Sequence, residues 1–219
     1  MTIVEAYRRF LEVLIDKYGD AAIEAQGFTE LFNQAALAEL IDDFNNRHRR
    51  DAQGEVKPYG FEMSQTDLDK WRTLIKEVLS TTNPQGEITI TQIETLLGER
   101  LFHLSTVLRN GLYARYVRHN SYGRHIKNRH LKPTNAAPTW KGFEDRIRIE
   151  PQAVQPIVLT CIKYPKLVVL DENNPANNVD PNLTDIAINS IIVRMSAMYG
   201  VQIREPELAQ AANQLHQQQ

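Results

Sequence analysis

Residues 146 to 165 read "RIRIEPQAVQPIVLTCIKYP". The first five alternate, with Ile147 and Ile149 on one side and Arg146 and Arg148 on the other, the period of a strand with one buried face. From Pro156 to Pro165 the chain is a short apolar run closed by proline, as expected of a well-buried strand. A third alternating stretch, "EITIT" at 87 to 91, precedes them. No clear crossover helix separates these segments, so antiparallel pairing is expected. The middle of the chain is therefore predicted to be β-rich.

Outward from this stretch the period becomes helical. Ile3, Val4, Tyr7, Phe10, Leu11, Leu14, Ile15 and Tyr18 follow three-four spacing, Thr2 and Glu5 form a capping-box pattern, and Gly19 is a C-terminal stop. A second helix is predicted from near Thr29, carrying Phe32, Leu37, Leu40, Ile41 and Phe44 and ending in the polar "NNRHRRDAQG". A third is predicted from near Ser64 or Thr66, with Leu68, Trp71, Leu74, Ile75, Val78 and Leu79 on one side, up to "NPQG". After the polar loop "DENNPANNVDPN", Ile188, Ile191, Ile192, Met195 and Tyr199 mark another helix stopped at Gly200. A last one, starting near Pro206, carries Leu208, Ala211, Ala212 and Leu215. The expected fold class is α+β: a helical part at 1–86, a β-rich insertion with a basic loop at 87–170, and helices at 171–219 completing the helical body.

Composition narrows the functional classes. The chain has 219 residues, 42% of them apolar and 24% charged, which is ordinary for a globular protein. Its longest apolar stretch is broken by Lys163 and Lys166, so no membrane span is expected. Glu5, Arg8 and Arg9 stand where a secretory signal needs an apolar core, so the N-terminus reads as part of the fold. The single cysteine, Cys161, excludes an internal disulfide, fits a reducing compartment, and reads as a small buried hydrophobe. The charge is unevenly divided: residues 1 to 99 carry net -8, residues 100 to 143 carry +9 without a single acid, and residues 144 to 219 carry -3. Such a chain has a positive zone and a negative zone.

The positive zone includes "YVRHNSYGRHIKNRHLKPT" at 116 to 134. Arg109, Arg115, Arg118, Arg124, Lys127, Arg129 and Lys132, interleaved with Tyr113, Tyr116 and Tyr122, could grip phosphates and stack on bases. This makes a nucleic-acid-binding protein using segment 109–132 the alternative reading. Against it, the whole chain is slightly acidic, with a pI of about 6.3. His119, Asn120, His125, Asn128 and His130 resemble a histidine-rich nuclease centre. Such a centre needs carboxylates or further histidines to hold its metal, and no Asp or Glu lies within 13 residues on either side of the span from His119 to His130. Phosphate loops, dinucleotide-binding glycines, nucleophile elbows and zinc-protease histidine pairs are absent from the sequence. The expectation is a protein without catalysis, metal or cofactor.

Several segments together suggest a family: "ELFNQAALAELIDDF" after the opening helix, "QTDLDKWRTLIKEVL", "LFHLSTVLRN", "RHLKPTNAAPTW" leading into "RIRIEPQAVQPIVLTCIKYP", and the closing "NSIIVRMSAMYGVQIREPELAQAANQL". In order and texture the chain resembles structural ring or adaptor proteins that join portal to tail in crAss-like and related short-tailed phages of gut bacteria. The resemblance spans nearly the full length and carries no catalytic signature. It implies an architectural role in a virion head-tail connector assembled in the host cytoplasm. It also implies a ring of about a dozen copies whose partners are the portal, other tail or ring proteins, and DNA in the lumen. A ring repeats one head-to-tail interface, and separate acidic and basic zones suit such contact. Arg109, Arg115, Arg118, His119, Arg124, His125, Lys127, Arg129, His130 and Lys132 are then the candidate contacts to a subunit, portal or DNA.

Overall fold

In the computed structural model both halves of the opening stretch are strands. The structure describes residues 1–18, 23–45, 69–128 and 130–216. The chain is α+β, with helical segments from both ends forming one compact unit and a β-rich unit inserted between them. Among the described residues the first unit holds 1–45, 69–71 and 165–216, and the second holds 72–164.

The first unit is built on α1 (Ile3–Tyr18) and α2 (Ala25–Asn45), together with a long C-terminal helix described below. The capping box forms as expected: the Glu5 amide donates to Thr2 Oγ1 (3.3 Å) and the Thr2 amide to Glu5 Oε2 (2.8 Å). Ile3, Ala6, Phe10 and Leu14 make the buried face of α1, and Phe28, Leu31, Phe32, Ala35, Ala36 and Leu40 that of α2. Ile15, Leu37 and Ile41, expected on buried faces, are exposed instead. Gly19, the expected stop, lies outside the described residues. The rings of Phe10 and Phe28, and of Phe28 and Phe32, sit 5.8 Å apart, a separation typical of favourable aromatic pairs. Chain start and late segment are tied together: the Met1 ammonium donates to Asp185 and the Ile3 amide to Asp180, each at 2.8 Å.

In the second unit two four-stranded sheets share one core. Its elements are β1 (Ile75–Thr81), β2 (Glu87–Thr89), α3 (Ile90–Leu97), β3 (Leu101–Arg109), β4 (Leu112–Tyr113), β5 (Arg115–Tyr116), α4 (His119–Lys127), β6 (Thr139–Gly142), β7 (Arg146–Glu150) and β8 (Pro156–Lys163). One sheet has the order β1-β8-β3-β4 and the other β2-β7-β6-β5, antiparallel throughout except for the parallel pair β5 and β6. Val107, Leu159 and Cys161 of the first sheet, Trp140, Ile147 and Ile149 of the second, and Ile93 of α3 form one buried cluster. Burial pushes the Cys161 thiol up to about 12, so it sits in the core as a neutral apolar group. Two of the chain crossings between the sheets, β1 to β2 and β7 to β8, run side by side. The Thr82 hydroxyl donates to the Ala153 carbonyl (2.7 Å), and the Ile149 amide donates to the Gly86 carbonyl (2.8 Å). Gly86 is required there: its φ is +70°, and a Cβ would run into the carbonyl oxygen of Ile149.

Two expectations are corrected. The third helix, read over 64–79, is helical among its described residues only at 69–71, and from Ile75 the chain is strand β1, paired with β8 from Ile75↔Ile162 to Thr81↔Pro156. The β-rich section thus begins before residue 87. The reason is long-range pairing: β8 is buried and accepts a full antiparallel neighbour along each edge, a set of bonds that local spacing does not reveal. The two C-terminal helices are one, α5 (Asp185–His216), because Gly200 stays helical instead of taking the left-handed conformation of a stop.

Candidate functional site

The basic segment starts at a hairpin. Asn110 and Gly111 join β3 to β4, and both have positive φ, 52° and 76°, the conformation that a two-residue turn favours for Asn-Gly. An Asn-Gly pair flanked by apolar residues is itself a readable hairpin signal. The chain then passes from one sheet to the other at Ala114, which is buried and donates to the Val107 carbonyl (2.8 Å). β5 joins β6, and α4 packs against β6.

α4 has an inside and an outside. Tyr122 and His125, three residues apart, are its buried face, while Arg118 just before the helix and Arg124 and Lys127 within it are exposed. The Tyr122 hydroxyl donates to Glu150 (2.8 Å). The Lys141 ammonium lies 4.5 Å from the centroid of the Tyr122 ring and 4.3 Å from that of Phe143. Burial and the neighbouring Glu150 push the Tyr122 hydroxyl far above its ordinary value, and burial with Arg148 nearby draws the Lys141 ammonium down.

The expected contact residues separate accordingly. Arg109 is only 2% exposed, and its guanidinium bonds the Gln155 side chain, the Pro151 carbonyl (2.5 Å) and Asn135 (3.2 Å). It braces the corner between the sheets and is not a surface contact. His125, 8% exposed, is held below the usual imidazole range by burial and by Arg115. Tyr122, expected as a stacking ring, is buried too. The physical reason is common to the three: once the segment folds, some of its polar side chains must face the sheets. Arg115, Arg118, Arg124, Lys127, His130 and Lys132 are exposed. His119 begins α4, and Arg129 lies outside the described residues. Exposed among the cations are Leu112, Tyr113, Tyr116 and Leu131, with Tyr113 at 73%.

A cleft of about 340 Å³ opens where β4, β5, α4 and the stretch before β6 converge. Arg115 and Lys132 bring cations to it, His125 and His130 imidazoles, Tyr113 a ring and Thr139 a hydroxyl. Thr139 is 4% exposed, and its Oγ1 has no hydrogen-bond partner among the described residues. Among the described residues lining the cleft there is no carboxylate. Among the described residues no three His, Cys, Asp or Glu side chains are placed to hold a metal ion, and no helix is long and apolar enough to cross a membrane. Comparison with protein-family models and with curated proteins finds no match.

Proposed function

We propose that this chain is a structural subunit of a virion head-tail connector, assembling with copies of itself into a ring that docks on the portal or a neighbouring tail ring. The observation that carries the reading is the folded basic surface of the second unit. There Arg118, Arg124 and Lys127 line the exposed side of α4, and Tyr113, Tyr116, Leu112 and Leu131 are exposed in the same acid-free segment. Arginine and aromatic side chains together are the composition of protein interfaces, in which buried apolar groups supply most of the energy and charges select register. The acidic 1–99 segment offers the complementary sign on a neighbouring copy. In this reading the protein has no catalytic activity, and the full-length resemblance supplies the virion context.

Electron microscopy of the purified chain, alone and with portal, tests it. Replacing Arg118, Arg124 and Lys127 together with glutamate should leave the circular dichroism spectrum unchanged, since exposed charges contribute about 0 to 1 kcal/mol each. It should abolish rings or portal docking. Normal rings and normal infectivity in that variant would remove the basic surface from the reading, and absence of the native protein from particles would remove the connector itself.

A further inference from the structure

We infer that strand β1 is a docking edge for a second copy of this chain: two β1 strands pair antiparallel about a two-fold axis at Leu79 and join two β-rich units through one continuous sheet. The contact closes after two copies, so it is separate from a head-to-tail ring interface and does not rest on the connector reading.

The register shows which backbone groups of β1 are free. The Lys163 amide donates to the Leu74 carbonyl (2.9 Å) and the Thr82 amide to the Gln155 carbonyl (3.1 Å), so the even-numbered residues of this stretch exchange hydrogen bonds with β8. The amides and carbonyls of Glu77, Leu79 and Thr81 therefore point away from β8, and they find no hydrogen-bond partner among the described residues. Ile75 faces the same way, but its amide is taken by the Arg72 carbonyl (3.3 Å).

This edge differs from the others. The sheets end elsewhere in strands of two residues, β4 and β5, or three, β2, whereas β1 runs for seven. Shortness, proline and outward-pointing lysine are the usual guards against strand addition. β1 has no proline, and its one lysine, Lys76, turns its ammonium to the Leu97 carbonyl (3.1 Å). Leu79 is 76% exposed.

Symmetry selects the occupant. With the axis at Leu79, that residue stands opposite Leu79 of the second copy, and Glu77 stands opposite Thr81. Every free amide and carbonyl of the three residues then meets its complement. Two exposed leucine side chains come together, and a threonine hydroxyl can donate to each Glu77 carboxylate. An axis at Val78 would pair Thr81 with Ile75, whose amide is already engaged, and set Leu79 against Glu77. An axis at Glu77 would place two carboxylates directly opposite each other, which is destabilising.

Sedimentation velocity of the full chain from micromolar to millimolar concentration tests the edge. It is run on the native chain and on the variant with Arg118, Arg124 and Lys127 replaced by glutamate, so that loss of rings and loss of the β1 contact are read separately. A concentration-dependent dimer is expected in both. Leu79→Pro removes only an outward amide, one from each copy, and should weaken association by about tenfold or more with the circular dichroism spectrum unchanged. Leu79→Lys, which keeps the backbone intact, should abolish it by setting two ammonium groups against each other. Because Cys161 is buried, Leu79→Cys supplies the accessible thiol, and air oxidation should link two copies through it. Glu77→Cys and Thr81→Cys should each fail to link alone, and should link when combined in one chain. A monomer at millimolar concentration in the glutamate variant, or a dimer indifferent to Leu79→Lys, would overturn the proposal. So would equal cross-linking of the three single cysteines, or protection of the Glu77, Leu79 and Thr81 amides from hydrogen exchange in the dilute monomer, which would place another segment of the same chain on the edge.

Discussion

The two units bury their cations by different means. In the helical unit Lys70 donates to Glu39 (2.6 Å) and Asp43 (2.7 Å), and Arg194 reaches Asp42 (2.7 Å) and Glu39 (3.1 Å). Asp43 also accepts from Trp71 Nε1 (2.8 Å). Burial alone would lower the Lys70 ammonium, but its bonds to Asp43 and Glu39 outweigh that and raise it. In the β-rich unit Arg109 is held by neutral acceptors and Lys141 by the faces of two rings, and burial lowers both. Arg148, bonded to Glu87, and Lys163, bonded to Glu99 (3.0 Å), are exceptions. One unit thus neutralises its buried cations mainly with carboxylates, whereas the other holds Arg109 and Lys141 with dipoles and aromatic rings.

This contrast is open to direct attack. Lys70→Met leaves two carboxylates facing each other in a largely buried position and should lower the unfolding free energy by about 3 kcal/mol in urea denaturation. A loss below about 1 kcal/mol would mean that solvent already satisfies the carboxylates, as it does for surface pairs, and the contrast would collapse. Helix capping gives a smaller effect that should be equal in the two units. Thr2 and Glu5 in one, Thr89 and Gln92 in the other, make the same reciprocal pair, so Thr2→Ala and Thr89→Ala should each cost about 1 kcal/mol.

A pH series probes the β-rich unit. The folded-state value of His125 is depressed by burial and by Arg115, so the unfolded chain binds its proton more readily. Its contribution to stability is complete above the ordinary imidazole value and is lost as pH falls through that value towards the folded one. The thermal midpoint should therefore drop on acidification through this window, and His125→Leu should remove that part of the drop. An undiminished drop in the variant would place its origin in other groups. The smallest change is expected for Lys141→Met, which keeps a flexible apolar stem against Tyr122 and Phe143 and removes a charge that burial disfavours. Stability should stay within about 1 kcal/mol of the native chain. A loss matching that of Lys70→Met would show that the rings hold the ammonium as firmly as carboxylates do.

Local signals in the sequence were sufficient wherever an element's partner lies within a few residues. The Thr2 and Glu5 box opens α1 because both bonds close within one helical turn. The alternation of Ile147 and Ile149 yields β7, since one face of that strand enters the core shared by the sheets. The acid-free composition marked 100 to 143 as a positive zone, and Arg115, Arg118, Arg124, Lys127 and Lys132 within it are exposed. What local spacing left undecided depends on distant residues. Leu74, Ile75, Val78 and Leu79 fit a helix as well as a strand, and pairing of residues 75–81 with residues 156–162 selects the strand. Arg109, Tyr122 and His125 look like their exposed neighbours in sequence, and only the corner at Pro151 and Gln155 and the packing of α4 on its sheet draw them inside. The cleft has the same origin: Tyr113, Arg115, His125, Lys132 and Thr139 come together through strand crossing and helix docking, contacts that no periodicity of a single segment encodes.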